Sequence, residues 1–487
     1  MSRTLLSAPR AEARRAAADR TPSALPWIRV AEGAPYFVTE DGEPWTPVGH
    51  NDAITWPELA GLFRRRDLPG VEAHLRMLRE HGVTVLRLML EYVHREHRYL
   101  ERPVGVFQPN MVRLWDDLFA LCERVGMRIL LTPFDTFFTW NRWAKHPYNQ
   151  RNGGPCADRT RLLVCPDTRE AVKRRLAFAT ERWGASGALF AWDLWNELHP
   201  AQAEDRFDEI PGVIADLSRF LRGLETRLHG RAHPQTVSVF GPELAWKPQL
   251  VDPILRHPEL DFASSHFYEE GTIDHPRDTV AAAVSTGRLT REALAEIRDQ
   301  RPFFDSEHGP IHTFKDHHRT LPEAFDDEYF RHMQWAHFAS GGAGGGMRWP
   351  NRHPHVLTPG MRLAQRALAG FLPRVDWARF RRRNLNEEVE VSTPALVPFA
   401  CGDEEQAVAW LLRRDTVGPD GRLRADAAPC WAELRIPGLA PGRYRATAWD
   451  TAAGEERGVS EVEAAGDGLR LRLPPVVTDL AVAVRRT

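Results

Sequence analysis

Residues 189–197 read LFAWDLWNE, an apolar run of strand-like composition that ends in a glutamate. A second run, PFFDS at residues 302–306, leads directly into Glu307. Short continuous apolar runs bounded by turn-forming residues are typical of strands in a parallel sheet that is covered on both faces. Because Glu197 and Glu307 lie far apart along the chain, only the fold can bring their side chains together.

Apolar runs of similar composition recur along the chain and alternate with segments of helical periodicity. Such alternation is typical of parallel β/α units, and eight of them predict an α/β fold, a (β/α)₈ TIM barrel. The predicted strands are 44–50, 83–90, 127–134, 189–196, 236–241, 262–267, 302–306 and 343–349. The predicted helices are 71–80, 111–125, 169–183, 214–228, 291–299, 323–339 and 361–372.

The chain of 487 residues is longer than one compact core requires, so we expect two domains. Residues 1–25 are rich in Ala and Arg and are interpreted as an N-terminal arm, and residues 26–375 as the catalytic barrel. Residues 376–487 contain short strand-like runs separated by turns, which predict a C-terminal antiparallel β-sandwich. Three of its tryptophans, which we interpret as core residues in preference to sugar-binding platforms, are Trp410, Trp431 and Trp449.

Composition excludes several classes of protein. A formal net charge of −2 argues against a nucleic-acid partner, since phosphate binding requires concentrated positive charge. No run of 18 apolar residues and no signal-peptide core is visible, which predicts a cytoplasmic protein with no membrane partner. The five cysteines lack a CxxC spacing, so we expect neither a metal site nor a full disulfide framework. No cofactor motif is present, and the sequence leaves the oligomeric state open.

Two carboxyl groups at strand ends suit the cleavage of a glycosidic bond. One carboxylic acid protonates the leaving oxygen, while an ionised carboxylate attacks the anomeric carbon or activates water against it. The carboxyl ends of barrel strands form a ring, where residues distant in sequence converge. We therefore expect Glu197 and Glu307 to form such a pair.

Arg87 interrupts the apolar strand run at residues 83–90. Burying a guanidinium without a partner costs on the order of several kcal/mol, because the charge loses its hydration. We therefore expect the side chain of Arg87 to meet a carboxylate at the active site.

Taken with the strands that carry them, five features resemble glycoside hydrolases of clan A, and family 5 in particular. They are Arg87 on the second strand, Asn196-Glu197 after the fourth, His266-Phe267-Tyr268 after the sixth, Glu307 after the seventh and Trp349 after the eighth. The resemblance covers residues 30–375. It implies a retaining double displacement in which Glu197 is the acid/base and Glu307 the nucleophile.

The resemblance also implies roles in binding the sugar. Asn196 would bind the 2-hydroxyl, Tyr268 would donate a hydrogen bond to the nucleophile, and Trp349 would stack on the cleaved sugar. Arg87 and His266 complete this set. Further candidates for substrate binding, chosen because they follow strand ends, are His50, Asn51, Asp135 and Trp140.

The substrate is predicted only as a class. Residues 148–155 (YNQRNGGP) are faintly similar to β-mannanase-type members of the clan, a match too short to fix the sugar. The predicted substrates are therefore of the β-mannoside or β-glucoside type. A cytoplasmic enzyme would meet short oligosaccharides or glycosides. The family pattern has a histidine soon after the third strand, whereas Phe134 and Asp135 stand there, which puts the geometry of the sugar subsites in doubt.

Three alternatives stay open. A transglycosidase would use the same covalent intermediate with a sugar as acceptor, and a catalytically silent barrel would only bind carbohydrate. A metal-dependent sugar isomerase would need strand-end ligands, although no HExxH motif is present. The histidines available to such an isomerase are His94, His97, His308, His312, His317 and His318.

Overall fold

The computed structural model describes residues 25–63, 66–91, 99–311 and 320–487. The predicted N-terminal arm therefore lies outside the described residues, except for Leu25. Five of the histidines considered for a metal site also lie outside them: His94, His97, His312, His317 and His318.

Eight parallel strands form a barrel and confirm the predicted (β/α)₈ fold. They follow a small antiparallel sheet of strands β1 (Ile28–Val30), β2 (Phe37–Thr39) and β3 (Pro44–Trp45). The barrel strands are β4 (Gly49–Asp52), β5 (Val85–Met89), β6 (Arg128–Thr132), β7 (Leu189–Asp193), β8 (Gln235–Thr236), β9 (Ala263–Phe267), β10 (Phe303–His308) and β11 (Met347–Arg348).

Neighbouring barrel strands pair in the order β8-β7-β6-β5-β4-β11-β10-β9. A parallel bridge between Phe240 and His266 joins the two ends, and the N–H of His266 donates to the carbonyl oxygen of Val239 at 2.9 Å. The barrel is therefore closed beside His266.

The predicted first strand, residues 44–50, is split in the structure. Pro44–Trp45 belongs to the small sheet, whereas the barrel strand begins at Gly49. Phe37 of that sheet packs edge-on against Phe190 and Phe262 from the barrel interior, with ring centroids 5.0 and 5.5 Å apart. The small sheet thus covers the end of the barrel opposite the carboxyl ends of the strands.

Helices cover the outside of the barrel and its connecting loops. They are α1 (Leu68–Glu80), α2 (Pro109–Val125), α3 (Thr136–Asn141), α4 (Pro166–Trp183), α5 (Ile210–His229), α6 (Gly241–Trp246), α7 (Val251–Leu255), α8 (Thr279–Ile297), α9 (Glu323–Ala339) and α10 (Pro359–Phe371). All seven predicted helices are present. The helix predicted at 291–299 is too short, because α8 already begins at Thr279. There the Asp278 side chain accepts hydrogen bonds from the N–H groups of Val280 and Ala281.

Glycines at residues 341–346 lead into the last barrel strand. A Cβ on Gly344 would lie 2.5 Å from the carbonyl oxygen of Pro47, and one on Gly345 would lie 2.7 Å from side-chain atoms of Gln334 and Leu368. Side chains at these positions would separate the chain from the segment before β4 and from α9 and α10. The glycines therefore allow the close packing that places Trp349 at the carboxyl end of β11.

The C-terminal residues form a nine-stranded antiparallel sheet, as predicted for a β-sandwich domain. Its strands are β12 (Arg383–Asn384), β13 (Glu390–Val391), β14 (Leu396–Gly402), β15 (Gln406–Arg413), β16 (Glu433–Ile436), β17 (Gly442–Asp450), β18 (Glu455–Ala465), β19 (Gly468–Arg472) and β20 (Asp479–Arg486). Residues from distant strands, such as Leu411 of β15 and Leu434 of β16, share one apolar core, so the sheet curls upon itself.

The curled sheet packs against the barrel through tryptophans. Trp410 is buried beside His332 of α9, and the indole N–H of Trp449 donates to the carbonyl oxygen of Ala367 in α10 at 3.1 Å. Both are core residues, whereas Trp431 is 68% exposed. In the described part of the chain, no helix has the length and apolar character needed to cross a membrane.

Candidate active site

Glu197 and Glu307 meet at the carboxyl ends of the barrel strands. Glu307 is the fifth residue of β10, and Glu197 follows β7 by four residues. One side-chain oxygen of Glu197 lies within 4.8 Å of one of Glu307, with a ring nitrogen of His266 within the same distance of both. The fold therefore brings the two predicted carboxyl groups into one site.

Local irregularities direct both glutamates into this site. The pairing of β9 and β10 shifts register between Asp305 and Glu307, and such a shift changes the direction of the following side chain. Glu197 has a left-handed backbone with φ of 50°, a conformation that costs a non-glycine residue about 1 kcal/mol or more. Its N–H donates to the hydroxyl oxygen of Ser238 at 3.3 Å.

Arg87 lies at the centre of the site and is fully buried. Its guanidinium donates to Glu307 Oε2 at 3.0 Å and to Asp193 Oδ2 at 2.7 Å. It also donates to the side-chain oxygens of Asn51 at 2.9 Å and of Asn196 at 2.5 Å. The expectation that Arg87 meets a carboxylate therefore agrees with the geometry, and the guanidinium has two anionic partners.

Glu307 accepts a second hydrogen bond from the Tyr268 hydroxyl, whose oxygen lies 2.7 Å from Oε1. Burial and the nearby Glu197 raise the pKa of Glu307, while Arg87 and the bond from Tyr268 oppose that rise. Burial also raises the pKa of Tyr268 well above its usual value, which keeps the phenol protonated as a donor. Each Glu307 oxygen therefore has a fixed hydrogen-bond donor.

Glu197 has a different environment. Its Oε1 lies 2.9 Å from Nδ1 of His266, and its side chain is more exposed than that of Glu307, 18% against 9%. Burial raises the pKa of Glu197 to about 7, with Arg87 opposing the rise and with Asp193 and Glu243 adding to it. Burial lowers the pKa of His266 to about 4, so the imidazole is neutral at pH 7.

Asn196 and Asp135 are joined beside Glu197. The Asn196 amide donates to Asp135 Oδ1 at 2.6 Å, and the other carboxylate oxygen of Asp135 accepts from the N–H of Phe138 at 2.5 Å. Asp135 thus caps α3 and orients Asn196. Burial raises the pKa of Asp135 to about 7.

A cavity of about 540 Å³ opens over the two glutamates. Apolar and aromatic side chains dominate its wall, with few polar groups, as in most small-molecule sites. The lining residues are Met89, Asp135, Thr136, Phe137, Phe138, Trp140, Asn141, Asn196, Glu197, Leu198, His199, Ala201, Phe240, Glu243, Tyr268, Glu307, Ile311 and Trp349.

The structure places the other predicted site residues in two groups. Trp349, Asp135 and Trp140 line the cavity together with Asn196 and Tyr268, and Arg159 stacks on the ring of Trp140 at 3.9 Å. Within the described chain, the predicted residues that do not line the cavity are Arg87, His266, His50 and Asn51. Arg87 and His266 contact the glutamates from beneath.

His50 and Asn51 lie on opposite sides of β4, because successive strand side chains point to opposite faces. Asn51 points into the barrel, where its amide donates to the carbonyl oxygens of Ser306 and Met347 and its Oδ1 accepts from Arg87. His50 is buried outside the barrel, with both ring nitrogens 3.3 Å from Nη1 of Arg362. The structure therefore does not bring His50 to the cavity.

Sequence reasoning missed Asp193 and Ser238, which support Arg87 from within the barrel. The Ser238 hydroxyl donates to Asp193 Oδ2 at 2.9 Å, and its N–H donates to Oδ1 at 3.0 Å. A carboxylate within the apolar run 189–194 is the same signal that identified Arg87. Glu243 and His199, which also line the cavity, follow strand ends without a distinctive pattern.

Two groups of described residues place three ligand atoms within 4.8 Å of one another: Glu197 with His266 and Glu307, and His50 with Asp52 and Glu58. The guanidinium of Arg87 already bonds to the first group, and that of Arg362 lies 3.1 Å from Glu58 in the second. These positive charges repel a cation. His308, the one described histidine of the metal hypothesis, is buried against Asp305.

The site thus lies in a closed parallel barrel, with one glutamate shortly after the fourth barrel strand and the other near the end of the seventh. No family model and no curated protein matches the sequence. Solved structures do match the fold.

One structure described as a glycoside hydrolase has a TM-score of 0.58 and 11% identity, covering 96% of this chain and 98% of that one. A family 5 glycoside hydrolase from Bacteroides vulgatus has a TM-score of 0.58 and 10% identity, covering 95% of each chain. A family 5 mannosidase from Rhizomucor miehei in complex with mannosyl-fructose has a TM-score of 0.50 and 16% identity, covering 66% of this chain and 85% of that one. At these identities the likeness establishes the fold.

Proposed function

We propose that the protein is a retaining O-glycosyl hydrolase that cleaves β-linked oligosaccharides or glycosides of the β-mannoside or β-glucoside type. Glu307 is the nucleophile and Glu197 the acid/base of a double displacement. The observation that carries the proposal is the spacing of the pair, with carboxylate oxygens within 4.8 Å. Retaining enzymes place these groups about 5–5.5 Å apart, whereas inverting enzymes leave about 6.5–9.5 Å for a water molecule.

The two glutamates share one negative charge at neutral pH, because two ionised carboxylates so close together repel each other. That charge belongs on Glu307, whose oxygens accept from the permanently charged Arg87 and from Tyr268. Its free lone pairs then face the anomeric carbon. Attack forms a covalent glycosyl–enzyme intermediate, which water hydrolyses in the second step.

The proton belongs on Glu197, whose pKa burial raises to about 7. An imidazole of His266 with its hydrogen on Nδ1 donates to Oε1 of Glu197, leaving the acidic proton on Oε2. Glu197 gives this proton to the leaving oxygen and later removes one from the incoming water. Its deprotonated form is then stabilised by the same His266 N–H.

The remaining residues bind the sugar. Asn196, held by Arg87 and Asp135, has one amide hydrogen left for the 2-hydroxyl, a contact that strengthens in the oxocarbenium-like transition state. Trp349 offers an aromatic face to the C–H groups of the sugar ring. The mannosyl-fructose bound by the Rhizomucor miehei mannosidase supports short oligosaccharides as the substrates to test first.

The pH profile tests the assigned protonation states. With phenyl β-mannoside or phenyl β-glucoside as substrate, we expect kcat/KM to fall tenfold per pH unit above about pH 7, because Glu197 must be protonated to act. The raised pKa means that the acid is present below pH 7 and is lost as the pH rises. Initial rates from pH 4 to 10 measure this.

The matched variant is Glu197→Gln, which cannot titrate. It removes the basic limb of the profile while lowering the maximal rate. A basic limb that persists unchanged in Glu197→Gln contradicts the assignment of the acid, and no turnover of any aryl β-glycoside by the wild-type protein contradicts the proposed function.

A further inference from the structure

The two glutamates divide the cavity wall into two arcs. Strands β11, β5 and β6 and the segments after them contribute Trp349, Met89 and Asp135 on one side. The segments after β8 and β9 contribute Phe240, Glu243 and Tyr268 on the other. The first arc adjoins Asn196 and holds the sugar that is attacked under the proposed function. The second arc then faces the leaving group.

A compact polar cluster, formed by Glu243, Lys247 and His199, lies on this second arc. Lys247 Nζ lies 2.5 Å from Glu243 Oε2 and 3.0 Å from His199 Nε2, and His199 Nε2 lies 3.4 Å from Glu243 Oε1. His199 Nδ1 accepts from the N–H of Ala201 at 3.0 Å, which fixes the direction of the ring. Glu243 and His199 line the cavity.

The backbone holds this cluster close to the catalytic pair. Glu243 belongs to α6, whose first residue is Gly241. A Cβ on Gly241 would lie 2.3 Å from the carbonyl oxygen of His266, so only glycine allows α6 to approach β9 this closely. The carboxylate of Glu243 is thereby fixed relative to His266, which contacts Glu197.

A purely structural role for the cluster would be a helix salt bridge, since Glu243 and Lys247 are four residues apart. Surface pairs of this kind contribute little to stability. Here the acidic partner is 9% exposed and lies in the wall of a mainly apolar cavity, near a second carboxyl group that must carry a proton. A polar group in that position is typical of ligand recognition.

We propose that Glu243, oriented by Lys247 and His199, binds the hydroxyl groups of a neutral sugar leaving group, and that Trp246 extends this site outward. The inference rests on the proposed function and names the class of leaving group. A carboxylate only accepts hydrogen bonds, and vicinal sugar hydroxyls supply two donors. Trp246 lies three residues from Glu243 in α6, on the neighbouring face of the helix, and is 68% exposed.

The test compares two substrates that share a glycone and both need an acid: a β-linked disaccharide and the corresponding methyl β-glycoside. For Glu243→Ala we expect kcat/KM on the disaccharide to fall about 10- to 100-fold, mainly through KM, as for the loss of a charged hydrogen bond. For the methyl glycoside, whose methanol leaving group carries no sugar hydroxyls, kcat/KM should change less than about threefold. Asp252→Ala, at a side chain that is 80% exposed, is the control.

Equal losses on the two substrates would overturn the inference, because Glu243 would then act only through the acidity of Glu197. A matched pair tests Trp246. Trp246→Ala should lower kcat/KM on a trisaccharide several-fold more than on the disaccharide, while Trp431→Ala, equally exposed at 68%, should change neither. Equal effects of the two tryptophan variants would exclude Trp246 from the site.

A binding measurement separates this inference from the proposed function. The disaccharide is titrated calorimetrically into Glu307→Ala and into Glu307→Ala/Glu243→Ala. We expect its dissociation constant to be at least about 10-fold higher for the double variant than for the single one. Equal affinities contradict the inference, even if the wild-type protein is an active hydrolase. Binding that depends on Glu243, in a protein that cleaves no glycoside, contradicts the proposed function alone.

Discussion

Glu307→Ala should lower kcat for the hydrolysis of aryl β-glycosides by at least about 10⁴-fold, a loss of the size seen when an enzyme loses its nucleophile. Without this carboxylate no glycosyl–enzyme intermediate forms, and the guanidinium of Arg87 loses one of its two anionic partners. The measurement is kcat on a dinitrophenyl β-glycoside, with circular dichroism to establish that the variant is folded.

Azide distinguishes a missing nucleophile from a damaged site. The anion fits the space vacated by the side chain and attacks the anomeric carbon from the same side, so it should restore product as the α-glycosyl azide, with inverted configuration. Glu170→Ala, at an exposed glutamate of α4, should retain full activity as the control. Substantial activity of Glu307→Ala without azide would refute Glu307 as the nucleophile.

Glu197→Ala should have an effect that depends on the leaving group. General acid catalysis contributes about 10²- to 10⁴-fold, so kcat/KM on a methyl glycoside or disaccharide should fall by that factor. A dinitrophenolate leaves without protonation, so kcat/KM on the dinitrophenyl glycoside should change little. The second step still lacks its base, and kcat should fall as the intermediate accumulates.

Azide again provides the discriminating result for Glu197→Ala. It attacks the accumulated intermediate without needing a base, so it should raise kcat and give the β-glycosyl azide, with retained configuration. Losses of equal size on activated and unactivated substrates would show that Glu197 does not act as the acid.

The fold was predictable because several barrel strands, such as β5, β6 and β7, are mainly apolar runs with clear boundaries, and each of the eight predicted runs overlaps a strand of the barrel. The exception within 44–50 has a physical cause. Pro44–Trp45 pairs with β2, and Phe37 of β2 packs on Phe190, so the small sheet uses apolar residues that resemble a barrel strand. Sequence periodicity cannot distinguish these two uses of a short apolar run.

Much of the site was predictable from polar residues within apolar runs. The anomalous charge of Arg87 implied a buried carboxylate, and the structure supplies both Glu307 and Asp193. Arg87 and Asp193 come from alternate barrel strands, which place side chains in the same interior layer. Without the strand register, the sequence does not show which carboxylate reaches the guanidinium.

The site residues that sequence reasoning misplaced or missed depend on side-chain direction and on tertiary contacts. His50 and Asn51 are adjacent, and only the register of β4 decides which one points into the barrel. Glu243 lies in a short helix whose approach to the site depends on contact between Gly241 and His266, a pair distant in sequence. No local sequence pattern predicts such a contact.

The stereochemistry of the first-formed product tests the central claim most directly. Proton NMR spectra recorded during the first minutes of hydrolysis of an aryl β-glycoside distinguish the two anomers of the released sugar before they interconvert. Two inversions, first by Glu307 and then by water, predict that the β-anomer appears first. Initial release of the α-anomer would contradict a double displacement by Glu197 and Glu307, whatever the effects of the individual variants.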